Sequence, residues 1–289
     1  MKIWLDGKLV DETEAKLSVF DHGTLYGDGI FEGIRFYNGR VFRLEDHIVR
    51  LFDSARYLLL DIPYAFDEII HATCETVAAS GLSDGYIRLV VTRGVGNLGL
   101  SPFNCKNASV YIIADKIALY DPSVYENGLA LITSSVRRNR PDMVCPQVKS
   151  LNYLNNILAK MEAVRMGVAE ALMLNEAGNV AECTGDNIFI VKNGTVFTPP
   201  VTDGALDGIT RRVVLEICNE LGIPAEERTM NRYTVTCADE CFLTGTAAEC
   251  VPVTKMDGYV IGSGKIGPVT ARLLARFKEL TATTGTPVA

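Results

Sequence analysis

Strand-like and helix-like patterns occur on both sides of one proline-bearing stretch, and this arrangement restricts the chain more than any single motif. Gly85-Tyr86-Ile87-Arg88-Leu89-Val90-Val91-Thr92 and Ser109-Val110-Tyr111-Ile112-Ile113-Ala114 alternate as strands do, whereas residues 43–60 and 65–80 read as helices. Residues 118–126, with Asp121-Pro122 inside them, are the best linker, because proline interrupts regular structure. Both patterns resume beyond it. The expected fold class is therefore α+β in two domains: a small one over residues 1–117, a linker over 118–126 and a large one over 127–289. At 289 residues the chain can fill two cores.

Lys149-Ser150-Leu151-Asn152-Tyr153-Leu154-Asn155-Asn156 sets a lysine where extended chain runs into a helix. Leu151, Leu154, Leu158, Met161 and Arg165 follow a helical stripe, which predicts Lys149 at the helix mouth, off the solvated face. Burial disfavours an ammonium, and a neutral amine can form a Schiff base or serve as a general base. A lone lysine is ordinarily solvated. A second segment changes the balance. Asn179-Val180-Ala181-Glu182-Cys183-Thr184-Gly185-Asp186-Asn187-Ile188-Phe189-Ile190-Val191 reads as strand, tight turn, strand, with Glu182 among small and apolar neighbours. Alone, Glu182 would read as an acid capping the Thr184-Gly185 turn; a buried carboxylate also wants a cationic partner. Together with Lys149 it suggests pyridoxal phosphate, whose ring nitrogen needs an acidic partner.

These two segments, with Leu206-Asp207-Gly208-Ile209-Thr210-Arg211, Leu243-Thr244-Gly245-Thr246-Ala247-Ala248-Glu249 and Tyr26-Gly27-Asp28-Gly29-Ile30-Phe31-Glu32-Gly33-Ile34-Arg35, resemble the signatures of class IV aminotransferases. These are the fold-type IV pyridoxal phosphate enzymes: branched-chain aminotransferases, D-amino-acid aminotransferases and aminodeoxychorismate lyases. The resemblance runs from about Trp4 to about Arg272. It implies the cofactor pyridoxal 5'-phosphate at the interface of two domains, and a homodimer whose partner helps complete the pocket. Lys149 is implied as the catalytic residue that carries the cofactor, Glu182 as the partner of the ring nitrogen, and Leu206 as a further cofactor contact. Phosphate contact is implied for Arg50, Ile209, Thr210 and Thr246. On local grounds Arg50 reads as a surface arginine, and Thr210 as a cap of its own helix or part of an anion site. Tyr153 resembles the tyrosine that bonds the cofactor's ring oxygen, four residues after Lys149 where enteric branched-chain enzymes have five.

The implied reaction is transamination between a branched-chain or other hydrophobic L-amino acid and 2-oxoglutarate, giving a 2-oxo acid and L-glutamate. Tyr86 and Arg88, two apart, share a strand face. The resemblance implies that they line the substrate pocket with Phe31, Thr246 and Ala247, Arg88 receiving the distal carboxylate of glutamate. The alternatives are a D-amino-acid aminotransferase, whose Arg-x-His carboxylate trap Arg93-Gly94-Val95 lacks, or an aminodeoxychorismate lyase. Outside the family, a small-molecule binding module would leave Lys149 and Glu182 without chemistry.

Gly94-Val95-Gly96-Asn97-Leu98-Gly99 matches the dinucleotide fingerprint, but Leu100-Ser101-Pro102-Phe103 follows and offers no helix to receive a pyrophosphate. The formal charge of −7 repels a phosphate backbone, so no nucleic-acid partner is expected. The start lacks a signal peptide's apolar core and no apolar run would span a membrane. Eight cysteines without a CxxC pair, beside three histidines, suggest no metal site and reduced core thiols in a cytoplasmic protein. The Thr/Gly-rich tail after Leu280 is expected to fray.

Overall fold

The structure is a computed structural model and describes residues 1–288. The chain divides into two compact units. The first takes in Met1–Ile117, Val148–Asn152 and the stretch from Thr281 on; the second takes in Ala118–Gln147 and Tyr153–Leu280. Residues 148–152 and the tail thus group with the first unit, where the sequence reading assigns them to the large C-terminal domain. The expected linker is ordered inside the second unit: Asp121 accepts from Ser123 N–H at 2.9 Å, and Tyr125 donates to the Ala248 carbonyl at 3.3 Å.

In the first unit the strands are β1 (Lys2–Leu5), β2 (Lys8–Asp11), β3 (Gly29–Tyr37), β4 (Arg40–Val41), β5 (Gly85–Thr92) and β6 (Ser109–Asp115); the helices are α1 (His22–Tyr26), α2 (Leu44–Tyr57) and α3 (Phe66–Ser80). The long strands are antiparallel, β3 beside β5 and β5 beside β6. Period-two alternation sends Ile30, Ile34 and Phe36 of β3, and Ile87, Leu89 and Val91 of β5, to one face, where they meet Leu44, Ile48, Leu51 and Ala55 of α2 and Ile69, Ala72 and Val77 of α3. Each such large side chain contributes about 1.5–3 kcal/mol on burial. The opposite face of β3 and β5 carries Phe31, Gly33, Tyr86 and Arg88.

The amino end of β3 pairs with Val148–Asn152. Phe31 N–H donates to the Lys149 carbonyl at 3.0 Å, Leu151 N–H to the Gly29 carbonyl at 2.9 Å, and Ile30 bridges Ser150. At the other end the tail does not fray, since Thr286–Pro287 pairs antiparallel with β4. The GxGxxG loop runs into a 3-10 turn, Pro102–Asn104, without an α-helix, as expected from its proline.

The second unit is built on one sheet. It holds β7 (Leu129–Thr133), β8 (Glu170–Leu174), β9 (Val180–Cys183), β10 (Asn187–Lys192), β11 (Thr195–Thr198), β12 (Ala225–Glu227), β13 (Glu240–Gly245), β14 (Glu249–Met256) and β15 (Tyr259–Val260). Its helices include α4 (Ser123–Asn127), α5 (Leu154–Arg165) and α6 (Ile209–Glu220). Helix α5 departs from the reading of its stripe: Leu154, Leu158 and Met161 are exposed, and the buried side is Asn156, Ala159 and Ala163. Cys183, Cys218, Cys241 and Cys250 are buried free thiols, but Cys237 is exposed and is not a core residue.

Candidate active site

Lys149 is held by the sheet edge of the first unit and is half-buried there, so the helix mouth is not what places it. Its N–H donates to Ser54 Oγ of α2 at 3.3 Å. Its Nζ lies 4.6 Å from the centroid of the Phe31 ring, the pair facing the same side because Phe31 and Lys149 are backbone partners. The Arg88 guanidinium lies 4.6 Å from the same ring and donates to the Tyr86 hydroxyl at 3.2 Å. Four predicted residues, Phe31, Tyr86, Arg88 and Lys149, therefore converge on one face.

Arg50 is buried, contrary to its reading as a surface arginine. The helical spacing of α2 turns His47, Arg50 and Ser54 inward with the core residues. Arg50 donates from Nε and a terminal nitrogen to the two oxygens of Glu32, at 2.8 and 2.7 Å, and His47 Nδ1 lies 2.7 Å from Glu32 Oε2. Glu32 shares strand parity with Ile30 and Ile34, which puts a carboxylate on the core face of β3. Burial alone would push that carboxyl up; the Arg50 charge and then His47 more than offset it and hold the group well below the usual carboxylate range. Burial pushes the His47 imidazolium down, against the pull of Glu32.

In the second unit Glu182 ends β9 and is buried. Arg138 Nε donates to Oε1 at 2.8 Å; Leu206 N–H and Asn187 Nδ2 donate to Oε2 at 2.8 and 3.3 Å. Glu182 is not the cap of the Thr184-Gly185 turn; Thr184 N–H goes to Glu170 Oε1 at 3.1 Å. Asn156 bridges the network, accepting from Arg138 at 3.0 Å and donating to the Thr184 carbonyl at 2.8 Å. Asn187 also donates to the Leu206 carbonyl at 2.9 Å, and a Cβ at Gly208 would sit 2.1 Å from its Oδ1. Glu182, Leu206 and the start of α6 are thereby tied together.

Helix α6 starts at Ile209 with Gly208 as its cap, so Thr210 does not cap it, and the glycine has no side chain to satisfy the first-turn amides. Such amides suit an anion. Thr246 and Ala247 are half-buried in the β13–β14 turn. That turn is joined to the Glu182 turn: Asn187 pairs with Thr244, and a Cβ at Gly245 would lie 1.9 Å from Asp186 Oδ1. Tyr153, half-buried, precedes α5.

Sequence reasoning missed Glu32, His47, Arg138, Asn156 and Asn187. Three of these stand inside motifs it singled out, and an acid at a core-parity position of β3 was a readable signal. Arg138 gave none.

Behind the Glu182 turn, Asp186 is buried with its Oδ2 3.5 Å from the Tyr120 hydroxyl. Burial, and then the nearby Glu170 carboxylate, push its carboxyl up to about 7. A raised carboxyl gives stability that is full below its unfolded pKa, about 4, and is lost as pH rises through the folded value. Wild-type urea midpoints are expected to fall between about pH 4 and 7 through this group, and Asp186→Asn to flatten that fall. Parallel pH curves for the two proteins would exclude Asp186 as its source.

Within the second unit, the donors on a buried acid and the open helix start fit a group with a basic ring nitrogen and a phosphate; within the first, a lysine over an aromatic ring fits an aldehyde. Among the described residues there is no set of side chains for a metal ion. Comparison with known proteins points the same way. The family model "Amino-transferase class IV" matches residues 29–256. The branched-chain-amino-acid aminotransferase of Pseudomonas aeruginosa is 40% identical over 283 residues, 96% of this chain and 92% of that one. The Escherichia coli branched-chain amino acid aminotransferase structure is similar with a TM-score of 0.95 at 36% identity, covering 98% of this chain and 95% of that one. The branched-chain aminotransferase of the thermophilic archaeon Thermoproteus uzoniensis, solved with norvaline, gives a TM-score of 0.91 at 41% identity, over 98% and 95%. Another branched-chain enzyme of this set was solved with N-(5'-phosphopyridoxyl)-L-glutamate, a cofactor derivative.

Proposed function

The chain belongs to the class IV aminotransferases, and on that premise we propose that it is a pyridoxal phosphate-dependent branched-chain-amino-acid aminotransferase. Its substrates are a branched-chain or similar hydrophobic L-amino acid and 2-oxoglutarate. The observation that carries the reading is the placement of Lys149 Nζ over Phe31 on a segment fixed by backbone hydrogen bonds. When bound, the cofactor supplies an electron sink for the charge left at the substrate's Cα.

The residues divide the remaining work. Lys149 Nζ would hold the cofactor through its aldehyde and, as a free amine, would serve as the base that takes and returns the Cα proton. Glu182 would face the ring nitrogen and favour a proton there. Arg138, Asn187 and the Leu206 amide, by donating to Glu182, fix the position of its two oxygens. Arg50, Thr246 and the first-turn amides of Ile209 and Thr210 would hold the phosphate. Tyr153 would bond the ring oxygen. Phe31, Tyr86, Arg88 and Ala247 bind substrate, Arg88 taking a distal carboxylate. Leucine, isoleucine and valine are favoured over D-alanine because Arg93-Gly94-Val95 lacks the histidine of the D-specific trap.

The protein is further proposed to be a cytoplasmic homodimer. Support comes from the exposed apolar stripe Leu154, Ile157, Leu158, Met161 and Val164 of α5, larger than scattered surface residues require. Among the described residues no helix is long and apolar enough to cross a membrane.

The purified protein mixed with pyridoxal phosphate is expected to turn yellow, and borohydride to fix the cofactor covalently on Lys149. A panel of single half-reactions should show absorbance decay with L-leucine, L-isoleucine, L-valine and L-glutamate. Label on Lys160, or a preference for D-alanine, would overturn the assignment.

A further inference from the structure

Gly33 stands opposite Arg88 in the β3–β5 register, on the face that carries Phe31 and Tyr86. Its φ is not in the left-handed region, so the backbone there does not require glycine. Space requires it instead. A Cβ at position 33 would lie 1.9 Å from the Tyr86 hydroxyl oxygen and 2.7 Å from the ring carbon that bears it. No L side chain stands there without moving Tyr86.

With Tyr86 in that seat, its hydroxyl accepts from Arg88 at 3.2 Å, and the guanidinium lies 4.6 Å from the Phe31 centroid and 5.5 Å from the Tyr86 centroid. Lys149 Nζ lies 4.6 Å from the same Phe31 ring. Both cations therefore neighbour one ring. A substrate whose amino group takes the place of the lysine amine reaches Arg88 through a distal anion.

The geometry points to Gly33 as a specificity-determining residue: by admitting the Tyr86 hydroxyl over its backbone, it fixes Arg88 beside Phe31 to receive the distal carboxylate of a dicarboxylic substrate. The two rings retain the guanidinium through cation–π attraction when the side chain of the substrate is apolar. This inference rests on the aminotransferase reading above.

The test compares half-reactions of L-glutamate and L-leucine in wild-type and Gly33→Ala holoenzyme. A second readout needs no turnover: equilibrium binding of glutarate, which lacks an amino group, by calorimetry. Gly33→Ala is expected to weaken glutamate and glutarate roughly tenfold to a hundredfold, the range of one lost charge-assisted hydrogen bond, and to leave leucine nearly unchanged. Tyr86→Phe adds no volume and should lower glutamate alone by a smaller factor. In the Tyr86→Phe background Gly33→Ala should cost less than in wild type, because the hydroxyl it strikes is gone. Additive losses, equal loss on glutamate and leucine, or an unchanged ratio would overturn the role of Gly33. A wild type that reacts with neither amino acid would instead overturn the aminotransferase reading. Should Gly33→Ala fail to fold, Tyr86→Phe still decides, since equal loss on both substrates in that variant overturns the seat.

Discussion

Glu182→Gln is expected to slow removal of the substrate's Cα proton by about a hundredfold or more, the scale of a lost preorganised charge in a dry site. The physical reason lies in the partners. Arg138, Leu206 N–H and Asn187 Nδ2 all donate to this carboxylate. Glutamine keeps the shape but brings an amide NH2 into a ring of donors, and it has no charge to hold a proton on a ring nitrogen. The conflict also turns the amide, since its single carbonyl oxygen cannot serve both Arg138 and the Leu206 amide as two carboxylate oxygens do. Single-turnover absorbance with Cα-deuterated and protonated L-leucine isolates the step. An unchanged rate with an unchanged isotope effect would remove Glu182 from the reaction.

Glu32→Ala should be a costly change to stability, about 3–5 kcal/mol, because it removes the carboxylate that pairs a buried arginine. Glu32 has no exposed surface, and Arg50 and His47 both direct nitrogens at it. The pH dependence carries a definite sign. A carboxyl depressed in the folded state stabilises fully above its unfolded pKa, about 4, and that stability is lost as pH falls through the lower folded value. The urea midpoint of the wild type should therefore drop below about pH 4, while Glu32→Ala, already weak at neutrality, should lack this component of the acid loss. Equal acid sensitivity would show that another carboxyl is responsible. A small loss at pH 7 would mean that Arg50 finds water once its partner is gone.

The parts of the site that were legible in the sequence are those whose chemistry is carried by neighbours in the chain. The strand over residues 85–92 stands where its alternation placed it. The turn after Glu182 and the helix opening at Gly208-Ile209-Thr210 are local patterns, and they hold. Contacts between distant positions were not legible. Arg138 reaches Glu182 across 44 residues, and no periodicity tells it apart from Arg137 and Arg140 in the same loop. The apolar stripe of α5 showed that the helix is two-faced but not which face the core takes. Small residues, Ala159 and Ala163, pack inward beside Asn156, and the larger ones face out. Lys149 was singled out for the wrong neighbour: a sheet edge far earlier in the chain holds it, and the helix that follows begins only at Leu154.

The first unit is assembled from three separate stretches of chain, and the ribosome delivers them far apart in time. A polypeptide leaves the ribosome from its amino end, and domains fold as their residues emerge. Here β3 is complete once residue 37 is out, yet its amino end waits for Val148–Asn152 and β4 waits for Thr286–Pro287. One strand edge thus stays open until residue 152 is made and the other until residue 287, and open edges are templates for mispairing. Lys149 is seated more than a hundred residues after the strand that receives it, and the sheet that seats it is completed only by Thr286–Pro287.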